Sequence, residues 1–227
     1  MTVELTIAEA VKLVRKNLDE LEPNGSSMYG GEDADNASLD AIIGRNLPEA
    51  INSVVLLAPV GYLEGHTLTP GELAQTLIPN PVQDGVLEFT PPAADFLRLV
   101  AFKAWDSQIV VTNYLDEASA EGRKQLNSYL RGRPDRPRLV KVQGTTTPPV
   151  FKYYSLERIP QAGQETQAIS LFTYAKEAKL EEGGTPVTHY DVPRLIKRNI
   201  IDMLTGLVLQ AFNDQRSSVY ITKANIW

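Results

Sequence analysis

The side chains in this sequence that are able to do chemistry are few and scattered. There are two histidines, His66 and His189, and no cysteine. His66 sits in Gly65-His66-Thr67, which reads as a turn, and His189 in Thr188-His189-Tyr190, ahead of an apolar periodic run. Neither lies in a ligand-spaced pattern such as H-E-x-x-H. Asp191 is the one carboxylate close to His189, and as the residue before a helix its expected role is a cap. Without thiolates, and without carboxylates grouped around the histidines, no metal site is expected. Nucleophilic catalysis would need a serine or threonine with a base and an orienting acid, and no G-x-S-x-G elbow is present. Gly30-Gly31 and Gly183-Gly184 lack the lysine of a phosphate loop and read as turn glycines. Two acid clusters, Glu32/Asp33/Asp35 and Glu177/Glu181/Glu182, lie in polar, glycine-flanked surroundings. Catalytic acids need partial burial to tune them, so both read as solvated faces. The expectation is no catalytic residue, no cofactor and no metal.

Two other features concern contacts rather than reactions. One is a basic run within an otherwise acidic chain: Arg131, Arg133, Arg136 and Arg138, with Lys141 beyond. It reads either as a solvated loop or as an electrostatic contact to an acidic neighbour or to nucleic-acid backbone. No aromatic interleaves with it, so base stacking is not indicated. The other is the C-terminal segment, which carries Val219, Tyr220, Ile221, Ile226 and Trp227 where a chain end is ordinarily polar. Such an end docks, either on its own domain or on a neighbour as an arm. Both groups are expected interface elements.

The elements that must carry these residues follow from periodicity. Thr6-Ile7-Ala8-Glu9 reads as a capping box. Ile7, Ala10, Val11, Val14, Leu18 and Leu21 then give one apolar helix face, stopped by Pro23-Asn24-Gly25. Residues 24–37 read as a mobile or partner-ordered loop. A second helix runs from about Ser38 to Leu57, with Pro48 either kinking it or opening a new one. Six prolines between 59 and 92 argue against long central strands there, although Val86–Phe89 suits a short one. Phe96–Phe102 fits either a helical turn or a strand. Ile109–Thr112, Leu139–Val142, Phe151–Leu156 and Ile169–Tyr174 have strand composition, and Ser119–Leu126 suits a short helix. The last helix begins with Asp191 and Pro193. It carries Leu195, Ile196, Ile200, Met203, Leu204, Leu207, Val208 and Ala211 at spacings of three and four.

The expected fold class is therefore α+β in a single domain. The helical bundle comes from the two ends of the chain, about 6–58 and 191–213. A β-containing insertion covers about 86–175, and an extended C-terminal arm covers 214–227. The chain has 227 residues, 43% hydrophobic and 22% charged, with a formal net charge of −6. That is enough chain for a real core, and its acidic balance argues against a protein whose main work is gripping nucleic acid. No apolar run reaches the ~20 residues of a membrane span, and Met1-Thr2-Val3-Glu4-Leu5 lacks the opening of a signal peptide.

The order of these segments resembles a known family. The helix containing Leu47-Pro48-Glu49-Ala50 and Leu57-Ala58-Pro59 is followed by Val86-Leu87-Glu88-Phe89. Next come Asp95-Phe96-Leu97-Arg98-Leu99-Val100-Ala101-Phe102-Lys103, Gln125-Leu126-Asn127-Ser128-Tyr129-Leu130-Arg131-Gly132 and a final helix. This layout is similar to head-to-tail adaptor (neck ring) proteins of tailed bacteriophages, closest to those of Bacteroidetes-infecting, crAss-like phages. The resemblance covers most of the chain in layout, through diffuse motifs, and the 24–37 loop has no counterpart in it. It implies a virion structural protein made in the host cytoplasm and placed in the neck. It also implies a ring of twelve copies between the portal protein and the next neck or tail protein, through which double-stranded DNA passes without sequence recognition, and no membrane partner. The alternatives are a tail-completion or stopper protein of the same neck or, in a different class, a carboxylate-based glycan hydrolase or sugar-binding tail module.

Overall fold

The computed structural model describes residues 2–18, 34–69, 72, 78–79, 86–91, 95–127, 138–142, 149–154 and 168–227. The chain divides into two compact units, one formed by Met1–Glu64 with Glu177–Trp227 and the other by Gly65–Lys176. The expected helical core (6–58 and 191–213) falls in the first and the expected insertion (86–175) in the second. The loop expected at 24–37 lies largely outside the described residues, which resume at Ala34 as the start of a helix.

In the first unit, β1 (Thr2–Thr6) leads directly into α1 (Ile7–Asn17). The Thr6 hydroxyl accepts the Glu9 amide at 3.1 Å, one half of the expected capping box, while the Glu9 carboxylate accepts instead from Lys197 Nζ at 2.7 Å. Ala10 and Val14 are buried on one face of α1. α2 (Ala34–Leu57) is continuous, with Pro48 inside it, and buries Leu39, Ile43, Leu47, Ala50, Ile51, Val54 and Val55.

The second unit holds β2 (His66–Thr67), β3 (Ile78–Pro79), β4 (Leu87–Thr90), β5 (Phe96–Ala104) and β6 (Leu115–Asp116). The short helix α3 (Ala120–Lys124), β7 (Leu139–Lys141), β8 (Phe151–Tyr153) and β9 (Ile169–Lys176) follow. They make two sheets, in the orders β2-β9-β5 and β3-β4-β8-β7-β6. Phe89 of the second sheet stacks on Phe102 of the first with ring centroids 5.1 Å apart and stands edge-on to Phe172. One aromatic core thus joins the two sheets, with Leu87, Leu99, Leu139, Phe151, Tyr153 and Tyr174 around it.

The chain then returns to the first unit. A tight hairpin, β10 (Glu181–Glu182) and β11 (Thr185–Pro186), turns on Gly183 and Gly184. Their φ angles of 60° and 80° bear out the reading of this pair as turn glycines. β12 (His189–Pro193) pairs antiparallel with β1, setting Leu5 against Tyr190. A 3₁₀ turn (Arg194–Ile196), α4 (Lys197–Ala211) and α5 (Ser217–Ala224) complete the chain. In α4 the apolar stripe is buried as expected at Ile200, Met203, Leu204 and Val208.

The expected fold class needs correcting. This is a mixed structure in which strands run through much of the chain in four sheets, not a helical bundle with a small β insertion. The C-terminal arm is also not extended: residues 217–224 form a helix packed on α4. The reason is one of signal strength. Helical stripes repeat over many residues, whereas these strands are short. In the longest, β5, register shifts between Phe96/Arg98, Leu99/Ala101 and Lys103/Ala104 break the alternation, so Leu99 and Val100 are both buried. Asp191 likewise lies in β12 and not at a helix cap.

Candidate interaction surface

The C-terminal segment is built from the inside outward. α5 approaches α4 at Gly206, where a Cβ would come within 2.7 Å of Ile221 Cγ1, 3.1 Å of the Ile221 nitrogen and 3.2 Å of the Ser217 carbonyl oxygen. Only a glycine lets the two helices lie this close. The Tyr220 hydroxyl donates to the Asn17 carbonyl at 2.9 Å, at the last residue of α1. The Asn17 side-chain amide in turn donates to the buried Thr205 hydroxyl at 3.0 Å. One chain of hydrogen bonds therefore ties α1, α4 and α5, and it satisfies an α1 carbonyl that helical pairing leaves over. Farther along, the Asn199 amide donates to the carbonyls of Ala224 (2.9 Å) and Ile226 (3.1 Å), closing the C-terminal end of α5. Tyr220 also carries the Lys223 ammonium over its ring at 4.8 Å.

Of the expected interface residues in this segment, Tyr220 and Ile221 are half-buried and spend their contacts inside the unit. Val219, Ile226 and Trp227 face outward, with 52%, 67% and 40% of their surface exposed. The Trp227 ring lies 6.5 Å from that of Tyr62, itself exposed. Leu195, one turn before Asn199 in the chain, is 66% exposed. A folded end thus presents apolar side chains, with the Ala224 and Ile226 carbonyls already satisfied.

The basic run is only partly described. Arg131, Arg133 and Arg136 lie outside the described residues. The Arg138 carbonyl accepts the Tyr154 amide at 3.2 Å and so extends the β7–β8 ladder. Arg138 and Lys141 are three residues apart along this extended segment, which sends their side chains to opposite faces. Those two cations do not form one patch. Lys141 is half-buried, and Arg138 is exposed, where it helps to depress the Glu121 pKa behind the larger effect of the Lys124 ammonium.

A polar cluster in the second unit escapes sequence reasoning because its members are far apart in the chain. The Tyr174 hydroxyl donates to Asp95 Oδ1 at 2.9 Å, and Lys176 Nζ lies 3.2 Å from Asp95 Oδ2. Burial, then that hydrogen bond and charge, push the Tyr174 pKa well above its ordinary value. His66 lies edge-on to the Tyr174 ring, 5.6 Å away, and 3.9 Å from Glu72. The Thr69 amide and hydroxyl both bond Glu72 and hold its pKa down. These contacts pin the ends of β5 and β9 together around a phenol that stays protonated. His66 is in a strand and not in the expected turn.

Of the acids considered for hydrolysis, those among the described residues do not lie in a sheltered site. Glu177, Glu181 and Glu182 are exposed, and Glu32, Asp33 and the Asp35 side chain lie outside the description. Asp202 on α4 has its pKa raised by burial, and its charged neighbours are the cations Arg198 and Lys223. Among the described residues there is no group of three or more His, Asp or Glu side chains placed to hold a metal ion. No helix among them is long and apolar enough to cross a membrane. Comparison with protein-family models, curated proteins and solved structures returns no match for this chain.

Proposed function

We infer that this chain is a structural subunit that assembles with copies of itself, and that its place is the neck of a tailed-phage virion. There it forms a head-to-tail adaptor ring between the portal protein and the next neck or tail protein. The observation that carries the assembly reading is the set of outward apolar side chains on the helical unit: Ile226 and Trp227 at the folded, hydrogen-bonded end of the chain, Tyr62 with its ring 6.5 Å from that of Trp227, and Leu195 ahead of α4, all of them large and exposed. Large apolar side chains exposed beside one another, as Tyr62 and Trp227 are, mark contact sites, and a tryptophan and a tyrosine are the residue types that anchor them. The neck placement rests on the family resemblance in the residues quoted above. The net charge of −6 suits a passage that DNA traverses without being gripped. Copies in a ring meet through unlike, head-to-tail faces, and such a surface needs no reaction centre.

The test is imaging of the purified chain beside a Leu195→Asp/Ile226→Asp variant. Both positions are exposed, so the changes spare the core. Closed rings of about twelve copies for the parent, and single copies for the variant with unchanged folding, are the expected result. Indistinguishable single particles from both would overturn the proposal.

A further inference from the structure

We propose that α5 is an exchangeable element: in the assembled state the segment 217–227 of one copy occupies the α1–α4 groove of the next. The idea rests on the assembly reading and supplies its linkage. Asn213, between α4 and α5, is the one non-glycine among the described residues with positive φ, at 55°. The turn around it is closed locally. The Asn213 amide donates to Gln210 O and the Asp214 amide to Leu209 O, each at 3.0 Å, and Asp214 accepts from the Arg216 backbone amide and guanidinium. Yet the connecting residues, Phe212-Asn213-Asp214-Gln215-Arg216, contain neither glycine nor proline. Nothing in their types prevents α4 from running straight on into α5. A helix over 197–224 would extend about 42 Å, release Asn213 from its left-handed conformation, and carry α5 clear of its own groove.

The groove then has an occupant already known to fit. Gly206, the Asn17 carbonyl and the Asn199 amide recognise Ile221, Tyr220 and the carbonyls of Ala224 and Ile226 within one chain. They recognise the same groups on a second copy equally well. Exchange therefore costs none of these contacts, and the balance falls to the hinge, to the outward apolar side chains that neighbouring copies cover, and to concentration. Passed from each copy to the next, the exchange is head-to-tail, the kind of contact from which rings are built.

The chain has no cysteine, so introduced ones report cleanly. Gly206→Cys and Ile221→Cys in one chain put the new Cβ of residue 206 beside the place of the residue-221 sulfur, 2.7 Å from the present Cγ1; the crowding of α5 by residue 206 is common to every cysteine chain compared, so only the hinge differs among them. They are oxidised at assembly concentration and read on a non-reducing denaturing gel, alone and with Asn213→Gly or Asn213→Ala. Glycine adopts the closed turn freely, whereas alanine disfavours it. The alanine chain should therefore show multi-chain disulfide species at least about fivefold enriched over the glycine chain. Light scattering of the parent runs in parallel. Oligomers with only one-chain disulfides overturn the exchange and leave the assembly reading standing. Single-chain mass with one-chain disulfides overturns both. Multi-chain species equal in the two hinge variants overturn the hinge as their cause.

Discussion

Replacing Gly206 by alanine is the sharpest test of how the C-terminal helix is held, because two effects of opposite sign compete. Gly206 lies inside α4. In an exposed helix interior, glycine to alanine stabilises by about 1 kcal/mol through propensity alone. Here the new methyl would sit 2.7 Å from Ile221 Cγ1 and 3.1 and 3.2 Å from backbone atoms of Ile221 and Ser217. The Cγ1 atom is near the root of its side chain, and the other two atoms are backbone, so no rotamer change relieves the contact. α5 must lift. Overpacking of this kind costs about 1–3 kcal/mol. The net expectation is a loss of about 1 kcal/mol, or roughly 2–4 °C in melting temperature for a protein of this size. Faster amide exchange over 217–224 should accompany it. Ile221→Ala on top of Gly206→Ala removes the closest contact but not the backbone ones, so the cycle should show partial rescue. A Gly206→Ala chain that is more stable than the parent by the full propensity gain, with α5 protection unchanged, would refute the close packing of α4 and α5.

Three further outcomes follow from the same geometry. Gly122→Ala in α3 drives a methyl against the Asp116 backbone carbonyl, and should cost more than about 2 kcal/mol in denaturant unfolding of the β-rich unit. Tyr220→Phe removes the donor to Asn17 O and should cost about 1 kcal/mol, seen as faster exchange in α5 with little change in the β-rich unit. Asp202 has a folded-state pKa raised by burial, so its favourable contribution is complete below the unfolded carboxyl pKa and is lost as pH rises through the raised one. Asp202→Asn should therefore raise the melting temperature at neutral pH and flatten its rise on acidification across that window.

How much of this was legible in the sequence depends on the length of each signal. The Thr6 cap was readable from the Thr6–Glu9 pattern, and α2 and the buried stripe of α4 because a three-and-four spacing repeats over several turns. The strand segments at 87–90, 139–141, 151–153 and 169–176 were readable from residue type, but not the way Phe89, Phe102, Phe151 and Phe172 bring them into one core. The pairing of β1 with β12 was not legible, since it joins residues nearly the whole chain apart. The fold of the C-terminal segment was misread for a related reason. Ser217–Ala224 is a helix of two turns with a weak apolar pattern, and it is fixed by Gly206, Asn17 and Asn199, none of which its own sequence reveals. At the candidate surface, apolar Val219, Ile226 and Trp227 were visible as unusual, but the division into outward residues and the inward Tyr220 and Ile221 needed the partner helix. The Tyr174–Asp95–Lys176 cluster had no local signature at all.

The central claim is that this chain meets copies of itself through the outward end of its helical unit. Its most direct test is the light-scattering mass of the purified protein across a wide concentration range. The mass should rise from the single-chain value of 25.1 kDa to a defined multiple, with the rise abolished by Leu195→Asp/Ile226→Asp. A mass that stays at one chain at every concentration, or a multiple that both substitutions leave intact, would contradict it.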